Sequence, residues 1–322
     1  MKKNKIKVII LIVLSVFLLT GCTKQLTDSN KKPVKNPNTG QSLTANILCR
    51  KKKKKTIELY EKNKVNIENL PACSDFKATS GKYEGIWTSL FVKPLAFILI
   101  LLGKNIGNYG ISVIIISLII RFIAYPITRK TAMQSEIMKK AQPELQKIQK
   151  KYKGKEDQES MMKQNQEMMA VYKKYGINPM GGCIFAMIQL PIFIAFFEAI
   201  QRTPAIFEDR FLGLQLGTTP AIGISTTTFY AYASLVIIIG FSTFFSMRMA
   251  TAGNATDPSM KMMPVMMTGM IVITGIFMPT GLGIYWVTSN MFTLIQNYLV
   301  KRSNVKDGKT QVSSQNKRRS NK

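Results

Sequence analysis

Histidine is absent from all 322 residues. That removes histidine triads, histidine metal sites and histidine proton relays in one step. Cysteine is scarce: the four residues stand at 22, 49, 73 and 183 with no CxxC pair, so a zinc framework has no basis. Acidic residues are outnumbered, 17 against 45 Lys and Arg, which leaves a net charge of +28. The phosphate-loop pattern Gly-x4-Gly-Lys-Ser/Thr does not occur, so a Walker-type nucleotide site is excluded. Among the apolar runs only Glu198 offers an acid, at a run's end, and a general acid/base pair is hard to assemble. Glu198 itself reads as an interfacial residue near the outer face.

What is present is segregated. The chain is 46% hydrophobic and 19% charged, and apolar blocks alternate with basic ones. That is the pattern of a polytopic membrane protein with charged loops. The positive charge points to anionic partners: lipid head groups, ribosomal RNA or acidic polypeptides.

The N-terminus has three parts. Met1 to Lys7 is basic, Val8 to Leu19 is an apolar run too short to span comfortably, and Leu19-Thr20-Gly21-Cys22 fits a lipoprotein box. Residues 1–21 are expected to be a lipoprotein signal peptide removed by signal peptidase II. Cys22 would then carry an S-diacylglycerol and an N-acyl lipid such as palmitate, and anchor the mature chain outside the cell. Residues 22–85 read as an external basic tether, mostly disordered and resting on anionic lipid. From 23 to 85 it holds 14 Lys/Arg against 6 Asp/Glu, including Arg50 to Lys55. Cys49 and Cys73 both lie there, where pairing is open to them, although nothing in the sequence fixes their distance. Cys183 lies in an apolar run, the ordinary place for a small buried thiol.

Five spans are expected, at about 109–128, 180–200, 230–249, 262–279 and 282–300, each near the ~20 residues that cross a bilayer. Residues 86–103 repeat apolar positions at three and four, but Lys93 and Pro94 interrupt them, which suits an external interfacial helix. Residues 129–178 carry two apolar stripes. One is Ile137, Ala141, Leu145, Ile148 and Tyr152, and the other is Met161, Met168, Tyr172 and Tyr175. A turn at Lys153-Gly-Lys-Glu-Asp157 between them predicts a cytoplasmic helical hairpin, with Pro143 breaking or kinking its first helix. The methionines suit either plain packing or a surface for varied apolar partners. The tail 301–322, with eight Lys/Arg and one Asp, is expected to be disordered and cytoplasmic. The fold class is therefore an all-α integral membrane protein with a five-helix transmembrane core at 104–300, a cytoplasmic helical hairpin and an external interfacial helix.

Arg121 stands inside the first of these spans. A charge at that depth costs from ~2.5 to over ~10 kcal/mol. Two readings stay open. Arg121 lies about 10 Å from the inner end near Thr128, within partial reach of snorkelling. It also shares a helical face with Ser117, Tyr125 and Thr128, and a polar stripe on a membrane helix suits a hydrated groove. A secondary transporter holding an anionic solute on Arg121 is the alternative function, but the five unequal spans show no internal repeat.

Several motifs together carry a resemblance. They are Gln142-Pro143-Glu144-Leu145, Asn178-Pro179-Met180-Gly181-Gly182-Cys183, Gln189-Leu190-Pro191, and the run Pro279 to Asn290 followed by Gln296. With Arg121, they resemble the YidC-type membrane protein insertases over about 86–300. The lipoprotein box and five-span core resemble the Gram-positive branch. The resemblance implies a hydrophilic groove open to cytoplasm and lipid and closed outside. Arg121 would sit in it, lined by Ser117, Tyr125, Gln189, Ser289, Thr293 and Gln296. It implies an insertase and chaperone for nascent membrane proteins, acting alone or with the Sec translocon. No catalytic residue, metal or cofactor is implied beyond the lipid on Cys22. The implied location is the bacterial cell membrane, multi-pass, with the basic tail inside near the ribosome. The long lysine-rich tether departs from the family pattern.

Overall fold

The computed structural model describes residues 23–37, 39–51, 54–155, 157–178, 181–251 and 258–320. Cys22 and the signal segment lie outside the described residues. The chain is mostly helical: α1 (Lys54–Lys62), α2 (Lys93–Ile106), α3 (Tyr109–Tyr152), α4 (Gln158–Tyr175), α5 (Gly181–Gln201), α6 (Pro204–Phe207), α7 (Pro220–Gly223), α8 (Phe229–Thr251), α9 (Pro258–Ile276) and α10 (Thr280–Ser320). A two-stranded hairpin, β1 (Arg210–Phe211) with β2 (Leu214–Gln215), completes the described elements. Its two-residue turn places Leu212 at φ 50° and Gly213 at φ 81°, the doubly left-handed geometry that matches strand twist.

Three stretches are long and apolar enough to cross a membrane by length and composition: Thr88–Ile106, the helix Tyr109–Tyr152, and Phe229–Met249. Gln189–Gln201 and Met262–Ile276 are shorter apolar helices. The chain divides into two compact units. One comprises Met1–Ser117, Ile188–Ile239 and Ile273–Trp286; the other comprises Leu118–Met187, Gly240–Val272 and Val287–Lys322. The chain passes between them five times, each time inside a helix: α3, α5, α8, α9 and α10.

In the first unit, residues 23–85 are folded. The sequence leads one to expect a mostly disordered tether. Instead Gln25 bridges Thr44, Thr27 bridges Pro33 and Lys35 bridges Ser42, all antiparallel. Leu26, Leu43, Ile47, Tyr60 and Ile67 are buried in one cluster. Average composition hides this core because its sixth buried member, Phe207, comes from α6, some 140 residues later. Buried Tyr60 donates to the Thr44 carbonyl at 3.0 Å, and burial, with Glu208 adding to it, pushes its phenol well above the usual range. Cys49 and Cys73 are disulfide-bonded, Cα to Cα 4.9 Å.

The segment read as interfacial begins with a π-helical turn, Thr88–Val92, and continues into α2. Lys93 is buried, yet its ammonium donates to the Ser80 and Lys82 carbonyls at 2.6 and 2.9 Å, so the charge is satisfied. Helix α2 packs on α6 and on the 3₁₀ turn Cys73–Asp75. It ends at Gly107, whose φ of 80° provides the left-handed cap. Asn108 then starts α3: its Oδ1 accepts from Ile111 N at 3.0 Å, and Asp209 Oδ2 accepts from Tyr109 N at 3.0 Å.

In the second unit, α3 runs on through Pro126 and Pro143, so of the break or kink expected at Pro143 the break does not occur. The far part of α3 packs on α4. Ala141, Leu145, Val171 and Ile177 are buried together, with Ile137, Met138, Ile148, Met168, Tyr172 and Tyr175 around them. Cross-helix pairs flank this core. Lys151 meets Glu167 at 2.6 Å and Lys174 meets Glu144 at 2.7 Å. Tyr152 and Tyr175 donate to the same two carboxylates at 3.0 and 2.8 Å. Asp157 caps α4 by accepting from Ser160 N. Met161, Met162 and Met169 stay exposed, so the methionine stripe is only partly packing. The hydrogen bonds from Lys151 and Tyr152 hold the Glu167 carboxyl below its ordinary value. A depressed carboxylate stabilises the fold above its unfolded pKa, and that contribution is lost as pH falls through the folded value. Amide protection factors across 137–175, corrected for the intrinsic pH dependence of exchange, are therefore expected to fall slightly below about pH 4.3 and to be flat from there to neutrality; a flat profile down to pH 3 would remove the pairing from the account.

The sequence also predicts a disordered tail. Here α10 is continuous to Ser320, as extending a formed helix is far easier than nucleating a new one.

Candidate functional site

Polar side chains inside apolar helices are the features that demand explanation. In the second unit they gather on α3 and α10. Arg121 is buried, 8% exposed, and Tyr125 and Thr128 are half-buried one and two turns further along α3. Thr128 donates to Gln296 Oε1 of α10 at 3.0 Å, and Phe122 meets Phe292 edge to face at 5.1 Å. The contact order, 122 with 292 and 128 with 296, means that α3 and α10 run side by side in the same direction.

Gln296 is buried at 5% exposure and Ser289 at 2%. The Ser289 hydroxyl has no hydrogen-bond partner among the described residues. In an apolar helix interior such an orphan costs about 1–3 kcal/mol. Thr293 is different: its hydroxyl donates back to the Ser289 carbonyl at 2.9 Å and is spent within its own helix.

The first unit holds the other two expected residues. Ser117 is buried, and its hydroxyl donates to the Val113 carbonyl at 2.5 Å. Gln189 of α5 donates to the Tyr285 hydroxyl of α10 at 2.6 Å, and the Tyr285 ring stacks on Phe196 at 4.3 Å. Thus Arg121, Tyr125, Ser289, Thr293 and Gln296 belong to one unit, and Ser117 and Gln189 to the other.

Sequence reading gives one polar group no role and misplaces another. Asn290 donates to Ser242 Oγ at 3.3 Å and Thr243 Oγ1 at 2.9 Å, tying α10 to α8. Isolated serines and threonines barely lower the hydropathy of α8, so they leave little signal. Glu198 is buried, 2% exposed, rather than interfacial. It accepts from Trp87 Nε1 at 2.9 Å and pairs with fully buried Arg202 at 3.4 Å. The i,i+4 spacing of this acid and base was the available signal. Among the described residues no group of three His, Cys, Asp or Glu is placed to hold a metal.

The family described as 60Kd inner membrane protein matches residues 101–307, more than half of the chain. Membrane protein insertase MisCA of Bacillus subtilis (strain 168) is 37% identical over 240 residues, covering 74% of this chain and 88% of that protein. Membrane protein insertase YidC 2 of Bacillus anthracis is 37% identical over 235 residues, covering 72% and 88%. The chain belongs to the YidC-type insertase family. A crystal structure of an active YidC insertase with its first transmembrane domain resolved is similar at a TM-score of 0.49 and 23% identity, covering 66% of this chain and 47% of that one. YidC-type membership and the apolar helices make this a multi-pass, mostly helical protein of the cell membrane. All seven residues expected in the groove fall within the matched range, whereas the folded segment 23–85 lies outside it.

Proposed function

We infer that this chain is a membrane protein insertase, without enzymatic chemistry, that moves client segments from the cytoplasm into the bilayer. The observation that carries the reading is the polar strip shared by neighbouring α3 and α10, with Arg121, Tyr125, Thr128 and Gln296 set in otherwise apolar helices of a YidC-type chain. Ser289 and Thr293, in the same unit, complete the proposed hydrophilic groove. Arg121 attracts the acidic external part of a client. A wet half-membrane pocket shortens the path over which client backbone stays unsatisfied. The client's apolar segment then partitions into lipid, and burial of that surface drives the step.

The architecture we assign has five spans: the early part of α3, then α5, α8, α9 and the early part of α10. The far part of α3 with α4 forms the cytoplasmic hairpin, and α2 lies at the outer interface. The five passages of the chain between its two units support this count. The disulfide supports placing residues 23–85 outside, since such bonds persist in oxidising compartments. The eight basic residues of the tail suit ribosomal RNA or anionic lipid on the inner side. Cooperation with the Sec translocon belongs to the same reading, as does a lipid anchor on Cys22 after signal peptidase II cleavage.

Insertion is tested with proteoliposomes holding this protein alone and a small single-span client with an acidic external tail. Protease protection of the tail is expected. Protection only after adding the translocon would make the protein a Sec-dependent partner, and none in either case would refute the reading. For the anchor, Cys22→Ala is expected to accumulate as uncleaved precursor; a mature mass identical to the parent's apart from the substitution would overturn it.

A further inference from the structure

Residues 23–85 are left without a role by the insertase reading, and they are built into the helix ends of their own unit. Two chains of contacts do this. In the first, fully buried Arg202 at the end of α5 donates through Nε to the Asn46 carbonyl at 2.7 Å, while its own carbonyl accepts from Leu48 N at 2.8 Å. The same guanidinium pairs with Glu84 and Glu198 and reaches Thr88 Oγ1 at 3.4 Å. In the second, Thr218 donates through Oγ1 to the Thr39 carbonyl. The Thr218 carbonyl in turn accepts from Thr280 N at 2.8 Å and Thr280 Oγ1 at 2.7 Å, at the start of α10. Gly281 N donates to the Leu216 carbonyl at 2.8 Å beside it.

The disulfide sits next to the first chain. Cys49 follows Leu48, which is bonded to Arg202, and precedes Arg50, which pairs with the 71–73 segment through Arg50 N to Pro71 O and Cys73 N to Arg50 O. Both cysteines are buried, at 0% and 6% exposure. The bond closes a loop 24 residues apart in sequence, and closing a loop of that size removes much of the freedom that would let the segment open.

We propose that residues 23–85 form a clamp on the ends of α5 and α10, closed after export by oxidation of Cys49 and Cys73. Closure is a thiol–disulfide exchange. One thiolate attacks a disulfide donor, either an exported thiol oxidoreductase in its disulfide form or a small disulfide. The second thiolate then attacks the resulting mixed disulfide and displaces the donor. Two electrons pass to the donor, and the two protons leave with it, on the dithiol of the oxidoreductase or on the two thiols released from a small disulfide. Burial then shields the new bond, so the clamp is a fixed fastening. The export step rests on the outward placement proposed above; the contacts with the end of α5 and, through the 216–218 segment, with the start of α10 do not.

The full-length protein is isolated under alkylating conditions and weighed. Neither Cys49 nor Cys73 is expected to take the alkylating group. Amide exchange is then compared between this protein, the parent reduced with a phosphine until its mass rises by two hydrogens, and Cys49→Ser/Cys73→Ser. Exchange about tenfold faster at 202–203, 216–218 and 280–281 is expected in both altered forms. If the variant does not accumulate, the reduced parent carries the test. Alkylation of both Cys49 and Cys73 in the isolated protein, located by peptide mapping, would overturn oxidative closure, and acceleration confined to 23–85 would overturn the clamp. Client protection by the parent, measured on the same preparation, shows separately whether the insertase reading stands.

Discussion

Arg121→Ala inserts clients with acidic external tails at least about tenfold more slowly than the parent, while clients with neutral tails are little affected. The size follows from the setting. A unit charge pair at 4 Å is worth about 1 kcal/mol in water and about 4 kcal/mol at an effective dielectric of 20. A half-buried, half-wet groove lies between these, and every 1.4 kcal/mol is a factor of ten. Arg121 is 8% exposed and lies on the helix whose Thr128 meets Gln296, so its guanidinium works nearer the second figure than the first. Arg121→Glu goes further, because repulsion replaces attraction.

Two companions separate the mechanisms. Arg121→Lys keeps the charge but loses the planar fork, so it retains insertion if a field acts and loses it if a bidentate contact acts. Neutralising the client's acids in parallel closes a double-mutant cycle: the effect of Arg121→Ala should shrink toward zero against the neutral client. Equal rates for the parent and Arg121→Ala with the acidic client would sink the groove-charge idea and leave Arg121 as a snorkelling or packing residue.

The sequence exposes helices better than it exposes their company. A helix, Phe229–Thr251, lies where 230–249 is expected to be apolar and helical, and another, Pro258–Ile276, lies at 262–279, since long apolar runs and their Pro and Gly punctuation are local signals. The stripe of Arg121, Tyr125 and Thr128 is visible for the same reason: helical periodicity puts them on one face. Which helix they meet is a separate matter, and Gln296 becomes Thr128's neighbour only through the fold. The segment 23–85 is misread because its core needs Phe207 and its fastening needs Arg202. Lysine-rich composition argues for disorder only while no distant partner supplies apolar surface. At Pro143 the break, one of the two outcomes expected there, does not occur. A proline costs about 3 kcal/mol in a helix interior, and the packing of Ala141 and Leu145 against α4 on either side of it holds α3 together.

Arg202→Met lowers stability by about 3–5 kcal/mol, the range for removing one partner of a buried ion pair. Arg202 is fully buried and Glu198 nearly so, at 0% and 2% exposure. Once the guanidinium is gone, Glu84 can turn to water, for its side chain is already 35% exposed. Glu198 cannot, and among the described residues Trp87 Nε1 would remain as its donor. An unpaired buried carboxylate must take up a proton or open the structure, and either costs free energy at neutral pH. In detergent the apparent unfolding temperature should fall by roughly 10 °C. Arg202→Met/Glu198→Gln should recover much of that loss, because the glutamine amide accepts from Trp87 without carrying a charge. That recovery separates a stranded charge from lost packing: if the double variant is as unstable as Arg202→Met, the arginine's bulk and its bond to the Asn46 carbonyl hold this end of the helices together, and the charge of Glu198 is incidental.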